Sequence, residues 1–319
     1  MLSSIYGYDA SYPHDELVQN IETALTQFCE AAVPSNFLVN TVPWLVHVPA
    51  WFPGAGWKRK ATIYRANRDK VVNETFGWTK SQIMVNATSP SILKTLLTDV
   101  ATSELSQYDI ENKEDIIRWA AGTLYAAGAD TTIATEAAFV LAMLLHPKVQ
   151  KEAQAELDAV LRGRLPELGD REKLPYINAV MKETMRWRPA VPMGVPRVAT
   201  EDTIYRGYLI PKGAIVRDPE IYSNPEEFNP DRFLNKALAP APVFGLGRRD
   251  CPGAHFAESS FFLMASTFLT VFNVAPKPGR PFVESKPSSN ALSSHPIFEC
   301  IVTARSDKHE QLLEQWVEI

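Results

Sequence analysis

One cysteine in this sequence occupies a position where its sulfur could act chemically. Cys251 follows two glycines, Gly245 and Gly247, which permit a tight turn with positive φ. A helix is predicted to start after it, at Pro252-Gly253, so the sulfur would lie at the positive end of a helix dipole. Such a position favours the thiolate, which is the form that binds metals and attacks electrophiles. The alternative interpretation is a buried cysteine without reactivity.

An acid and an alcohol stand side by side in the longest apolar segment, residues 116–145. These are Asp130 and Thr131, two residues after Gly128. Gly128 weakens a helix and the Thr131 hydroxyl can bond back to a backbone carbonyl, so we expect a local opening here. A carboxylate beside a hydroxyl can relay protons to a bound reactant. The alternative is a helix–helix contact rich in Gly and Thr, with Asp130 in a salt bridge.

A third pair of charged residues lies on a predicted helix. Glu183 and Arg186 are three residues apart, so they share one helix face and can form an ion pair. Pairs with this spacing arise by chance in many helices, and by itself the spacing indicates no function.

The spacing of apolar residues predicts the elements that must position these groups. Two short strands are predicted at residues 203–205 and 208–210, and weak alternation around residue 300 suggests a closing hairpin. The segment 116–145 is apolar on all sides, which is typical of a buried helix. The fold class is therefore mainly α with small β-sheets, in a single domain over residues 1–319. The predicted helices cover residues 14–32, 58–75, 116–145, 148–161, 175–187 and 254–271.

The charge balance and the cysteine content exclude several classes of protein. The chain has 32 Lys and Arg against 37 Asp and Glu, a net charge of −5, whereas binding to nucleic acid requires a basic face. Its 3 cysteines are too few and too scattered for a disulfide framework or a multi-cysteine zinc site. The odd count fits a reducing compartment. No secretory signal is recognisable at the start of the sequence.

Membrane contact is predicted for one loop only. We find no uninterrupted run of about 20 apolar residues, so no transmembrane segment is expected. Residues 37–57 are rich in aromatic residues, including Trp44, Trp51 and Trp57, but prolines prevent a single helix. This segment is either a buried irregular loop or a loop that rests peripherally in a membrane interface, where tryptophan is favoured.

The loop around Cys251 carries a family resemblance. Phe244, Gly247, Arg249, Cys251 and Gly253 match every fixed position of Phe-x-x-Gly-x-Arg-x-Cys-x-Gly, which resembles the haem-ligand signature of the cytochrome P-450 superfamily. The resemblance implies that haem b is the cofactor and that Cys251 is the axial thiolate ligand of its iron. It also implies that Phe244 packs on the haem, that Arg249 pairs with a propionate, and that the two glycines let the backbone approach.

Four other segments resemble motifs of the same superfamily. The stretch from Ala127 to Thr132 is similar to its oxygen-activation motif, which implies that Asp130 feeds protons and Thr131 hydrogen-bonds the oxygen ligand. Glu183-x-x-Arg186 and the Arg232 segment resemble two elements that form a structural triad beneath the haem. Residues 189–197 resemble the stretch beside the haem, which implies that Arg197 meets a propionate and that residues 191–195 line the substrate pocket.

The resemblance extends from about Tyr6 to Arg305 and leaves a part of the family pattern without a counterpart. The amino-terminal membrane helix, the first sheet and a Trp-x-x-x-Arg helix are missing, because no tryptophan here is followed by arginine four residues later. The chain is also short after Val216 and between Phe233 and Phe244. We therefore expect a cytochrome P-450 fold that is incomplete at the amino-terminal end.

The expected function is that of a haem-thiolate monooxygenase, most similar to those of basidiomycete fungi. It would insert one oxygen atom of O2 into a lipophilic small molecule, with electrons from an NADPH-dependent reductase. Such enzymes often act in secondary metabolism, which points to terpenoid or polyketide substrates. Family members usually lie on the cytosolic face of the endoplasmic reticulum membrane, and this chain would be cytoplasmic or peripheral. The alternative is a truncated, non-catalytic remnant or interaction protein with weak or no haem binding.

Overall fold

The computed structural model describes residues 1–11, 14–33, 35–85, 89–192, 194–195, 200–205, 207–210, 224–235, 238, 240–279 and 298–317. It forms two compact units, Met1–Thr131 and Thr132–Ile319. The first unit is helical, and the second carries helices together with two small antiparallel sheets. The longest helix, α6, contributes its first part to one unit and its last part to the other.

The first unit is built on an antiparallel arrangement of helices around α4. Helix α2 begins after Asp15, whose carboxylate accepts hydrogen bonds from the N–H groups of Leu17 and Val18 at 2.9 and 3.2 Å. A small apolar cluster, centred on buried Leu93 and Leu97, joins α1, α5 and α6. The elements are α1 (Leu2–Tyr6), α2 (Glu16–Ala32), α3 (Leu38–Thr41), a 3-10 turn (Pro43–His47), α4 (Gly56–Met84), α5 (Ile92–Ala101) and α6 (Gln107–Leu145).

The second unit contains the larger core. Phe139 of α6 and Phe262 are completely buried, and the Phe139 ring meets the edge of the Phe261 ring with centroids 5.8 Å apart. The helices are α7 (Pro147–Leu161), α8 (Pro175–Trp187), α9 (Ala254–Val271) and α10 (Asp307–Val317), with 3-10 turns at Leu168–Lys173, Pro230–Phe233 and Gly247–Arg249.

Two short strand pairs complete the second unit. Strand β1 (Thr203–Tyr205) runs antiparallel to β2 (Tyr208–Ile210), and Gly207 between them has a positive φ of 83°. This confirms the predicted strands and turn. Strand β3 (Phe272–Ala275) pairs with β4 (Ile301–Ala304), so the tail closes on the end of α9. Of the connection between them, residues 280–297 lie outside the described part.

The predicted helices are confirmed, with large differences in length for two of them, α4 and α6. The bounds of α2, α7, α8 and α9 agree with the prediction to within two residues. Helix α4 continues nine residues beyond the predicted end, through Gly77. A glycine inside a helix costs about 1 kcal/mol relative to alanine. Here Phe76 and Ile83 pack against the Leu93–Leu97 cluster, and this burial offsets the cost.

Helix α6 differs from its prediction in three respects. It begins at Gln107, nine residues before the predicted start. It spans 39 residues as an uninterrupted α-helix, so the expected local opening near Gly128 is absent. It is also not buried on all sides, since Ile116 is 60% exposed and Ile133 is 55% exposed. The buried positions lie mainly in its last part, where Phe139 and Met143 are fully covered.

By length and composition alone, α6 is apolar enough to cross a membrane. The sequence prediction did not recognise it because Asp130 and Glu136 interrupt the apolar run. The core helix of a globular protein has the same properties, and the complete burial of Phe139 and Met143 in the second unit is typical of such a helix. The composition of α6 is thus a weak indication of membrane insertion.

Candidate functional site

The Cys251 loop folds back on itself through two backbone hydrogen bonds. The Cys251 N–H donates to the Phe244 carbonyl at 2.7 Å, and the Asp250 N–H donates to the Gly247 carbonyl at 3.1 Å. Gly245 and Gly247 have φ angles of 83° and 68°, a region that residues with a side chain rarely adopt. The prediction of a tight turn with positive φ is confirmed. The turn leads directly into the start of α9.

The thiol of Cys251 is accessible. The residue is exposed, whereas Cys29 is buried and Cys300 is half-buried, and none of the three takes part in a disulfide. Its carbonyl accepts the Ala254 N–H at 3.2 Å, which places Cys251 immediately before the first turn of α9. The free N–H groups and positive dipole end of a helix stabilise a negative atom at this point. Cys251 is therefore not buried, contrary to the alternative interpretation.

The surroundings of this sulfur fit a flat, apolar metal complex. Leu246 in the loop is 79% exposed, and Phe256 in the first turn of α9 is 47% exposed. Exposed apolar side chains therefore lie both before and after Cys251 in the sequence. Phe244 is half-buried, and Arg249 is exposed and carries a charge suited to an anionic substituent. A single soft sulfur donor is the ligand that haem iron takes in haem-thiolate proteins. Arg197, the other predicted propionate partner, lies outside the described residues.

Helix α9 has a fixed position in the second unit. Its inward face, including Phe261, Phe262 and Ala265, is buried in the main core. On the outside, Arg171 donates to Glu258 at 2.9 Å and ties the first half of α9 to the 3-10 turn Leu168–Lys173. The start of α9, and with it the Cys251 loop, is therefore anchored on a packed helix.

The structure brings Glu183, Arg186 and Arg232 together. Arg186 donates through Nε and Nη2 to the two Glu183 carboxylate oxygens at 2.6 and 2.9 Å, and Arg232 Nε donates to Glu183 Oε1 at 3.1 Å. The Glu183 side chain is completely buried and the arginine side chains are 6% and 9% exposed. This cluster is shielded from solvent and linked by charge-assisted hydrogen bonds.

Further backbone partners of this cluster were not recognisable in the sequence. Glu183 Oε1 also accepts the N–H of Asn229 at 2.7 Å, and Arg186 donates to the carbonyls of Pro225 and Glu227. The described part of the Pro-rich segment, residues 224–233, is thereby fastened to α8. Backbone groups carry no residue signature, so no sequence signal could have identified them.

Asp130 and Thr131 lie on adjacent positions of α6 in the first unit. The Thr131 hydroxyl donates to the Ala127 carbonyl at 2.7 Å, so the predicted bond to the helix backbone is confirmed although the helix does not open. Asp130 lies within reach of Cys29, with 3.9 Å between Oδ2 and Sγ. Burial and the Asp130 charge raise the pKa of the Cys29 thiol. Because 101 residues separate the two, no local sequence pattern indicates this contact.

The space beside Gly128 is not open in this structure. A Cβ atom built on Gly128 would overlap with the terminal methyl group of Met1. The flexible end of the Met1 side chain fills that space, and Met1 packs with the apolar cluster around Leu93.

Comparison with known proteins supports the class that this fold and this loop define. The sequence profile described as "Cytochrome P450" matches residues 25–298. The chain belongs to the cytochrome P450 family.

Similar proteins include several fungal monooxygenases. The chain is 38% identical to cytochrome P450 monooxygenase 208 of Postia placenta, over 98% of this chain and 63% of that protein. It is 39% identical to cytochrome P450 monooxygenase claR of Ampulloclitocybe clavipes, over 98% and 60%. It is 35% identical to tryptamine 4-monooxygenase of Psilocybe cyanescens, over 95% and 63%. The chain thus spans somewhat less than two thirds of the length of these relatives.

A solved structure of a zebra fish cytochrome P450 with abiraterone has a similar fold. The TM-score is 0.67 at 25% sequence identity, and the match covers 95% of this chain and 68% of the other. The mainly helical fold with small sheets is therefore confirmed as a cytochrome P450 fold.

Proposed function

We propose that this chain is the haem-thiolate part of a monooxygenase, with Cys251 as the iron ligand. The observation that carries the proposal is the exposed, unpaired thiol at the start of α9, in a loop set by two glycines with positive φ. Bound haem would supply the activation of O2, so that one oxygen atom enters the substrate and the other leaves as water. Residues 1–319 would belong to one haem-binding domain, since the family match runs through both compact units.

The other loop residues would hold the cofactor. Phe244 would pack on its face, Arg249 and Arg197 would pair with its propionates, and the backbone at Gly247 and Gly253 would allow close approach. The cluster of Glu183 with its two arginines would keep the loop in place without entering the chemistry.

Haem content tests this proposal directly. The chain expressed with added haem precursor should contain about one haem per chain, and the reduced carbon monoxide complex should show the long-wavelength absorption of thiolate ligation. A purified, folded chain that takes up no haem would contradict the proposal and favour a non-catalytic interaction protein.

Substrate and redox partner follow from the same proposal. The substrate would be a lipophilic small molecule, and O2 and an NADPH-dependent reductase would be the co-reactants, with the exposed Arg248 close to the docking face. The named relatives include a tryptamine 4-monooxygenase. For this chain we propose terpenoid or polyketide intermediates of fungal secondary metabolism as the substrate class.

Thr131 and Asp130 would supply protons to the oxygen ligand. The Thr131 hydroxyl donates to the Ala127 carbonyl, which holds it in a defined position on α6. Replacing Thr131 with alanine should therefore raise the share of consumed NADPH that appears as hydrogen peroxide, by about tenfold or more. The matched control is Thr98→Ala, since the Thr98 hydroxyl makes the same bond within its own helix, to the Lys94 carbonyl, and lies outside the cavity described below. Equal peroxide yields from both variants would remove Thr131 from proton delivery.

The loop between α2 and α4 would touch a membrane surface. Of the two interpretations of residues 37–57, burial is wrong for Trp44 and Trp51, which are 66% and 81% exposed, whereas Trp57 at the end of the segment is half-buried. Such tryptophans are stabilised at a membrane interface, and Lys58, Arg59 and Lys60 follow directly with charges that suit anionic lipids.

Vesicle binding tests this contact. Replacing both Trp44 and Trp51 with serine should weaken binding to anionic lipid vesicles about tenfold or more, because two large aromatic surfaces would no longer be buried. Tyr108→Ser is the control, since Tyr108 is equally exposed on α6. If the double variant and the control bind vesicles like the parent chain, the loop is not the contact.

A further inference from the structure

The first unit contains a partly enclosed cavity between α2, α4 and α6. Its volume is about 630 Å³, which lies within the usual range of small-molecule pockets, about 300–1,000 Å³. The wall is mainly apolar and aromatic and includes Phe28, Trp57, Trp119 and Tyr125. Along α6 the wall extends from Trp119 to Ala127, which corresponds to about 12 Å of helix axis. The cavity is suited to an elongated apolar molecule.

Two arginines give this apolar wall a positive charge. Arg65 and Arg68 are the only charged side chains among the described residues that line the cavity, and they lie one turn apart on α4. Arg68 donates to Asp69 at 2.6 Å, and its guanidinium lies 5.0 Å from the centre of the Trp119 ring. Arg65 makes no ion pair with any residue that the structure describes. Arg65 therefore offers the more available charge.

The tyrosines around the cavity leave this charge unopposed. Burial raises the pKa of Tyr6 and of Tyr125, so both stay neutral. The pKa of Tyr64 is raised by its hydrogen bond to Glu30. Glu30 itself is paired with Lys60 at 2.9 Å.

We propose that this cavity binds a lipophilic carboxylate. The carboxylate would pair with Arg65 and secondarily with Arg68, because the planar guanidinium matches a carboxylate in geometry and charge. The apolar body would extend along α6 toward Ala127. Asp130 and Thr131 follow Ala127 by three and four residues and so lie on the same side of the helix. That the ligand is the substrate rests on the proposed function, whereas its binding does not.

Binding to the full chain without added haem tests the proposal. Dodecanoate and 1-dodecanol, both below their micellar concentrations, form a matched pair that differs in the anionic group, and calorimetry measures each affinity. Dodecanoate should bind more tightly than dodecanol. Arg65→Gln should weaken dodecanoate binding about tenfold, and Arg68→Gln about threefold because Asp69 already shares that charge. Neither change should affect dodecanol.

Two further variants distinguish the loss of the Arg65 charge from general effects of a substitution on α4. Arg65→Lys should retain most of the affinity for dodecanoate, and Arg59→Gln, on the exposed part of α4 outside the cavity, should retain all of it. Equal binding of acid and alcohol, no binding of either, or an Arg59→Gln effect as large as that of Arg65→Gln would overturn the proposal. A chain that binds dodecanoate but takes up no haem would contradict the proposed function, whereas the proposal of a carboxylate-binding cavity would still hold.

Discussion

Replacing Cys251 with alanine should abolish the thiolate absorption of the reduced carbon monoxide complex and reduce monooxygenase turnover to background. The reason is that Cys251 carries the one exposed thiol among the three cysteines, at the positive end of α9, and that alanine offers no ligand atom to iron. The fold should persist, because the loop is held by the backbone hydrogen bond from the Cys251 N–H to the Phe244 carbonyl and by the conformations of Gly245 and Gly247, none of which involves the Cys251 side chain.

The control for this experiment is Cys300→Ala. Cys300 is half-buried, and burial raises the pKa of its thiol, so it should contribute nothing to ligation. Cys251→Ser is a second test variant. Its hydroxyl is similar in size to the thiol, so the loop geometry is kept while the sulfur is removed. An absorption that survives in Cys251→Ala and disappears in Cys300→Ala would show that the ligand had been assigned to the wrong cysteine.

Replacing Glu183 with glutamine should lower the free energy of unfolding by about 3–5 kcal/mol. Glu183 is completely buried and accepts hydrogen bonds from Arg186, from Arg232 and from the N–H of Asn229. Glutamine has nearly the same shape, but it leaves two almost fully buried guanidinium groups without their counter-charge. The loss is large because such a charge cannot reach water.

Denaturant unfolding measures this effect. Glu172→Gln is the matched control, because Glu172 is an exposed acid near the start of α8 and its replacement should change stability by less than about 0.5 kcal/mol. A double-mutant cycle with Arg186→Met should show a double variant less destabilised than the sum of the single ones, since both charges are then removed. A loss below about 1 kcal/mol for Glu183→Gln would mean that the buried cluster does not stabilise the second unit.

The local sequence patterns predicted most helices and the conformation of the cysteine loop. Helix bounds follow from apolar spacing and from caps such as Asp15, and a positive φ requires glycine, as at Gly245 and Gly247. The family resemblance predicted the fold and the grouping of Glu183 with Arg186 and Arg232. These properties depend on interactions between neighbours in sequence or on residue types that few other contexts require.

Other properties were decided by contacts between distant segments. The continuity of α6 through Gly128 was not predictable from the residue types around it. How the helices pack decides that Cys29 contacts Asp130 and that Trp44 and Trp51 are exposed. Helix packing also forms the cavity beside Arg65 and brings the Met1 side chain against Gly128. The sequence by itself determined the helices, the glycine turn and the identity of the candidate ligand. Only the tertiary structure decided which side chains are buried together, because burial depends on surfaces contributed by residues far apart in the chain.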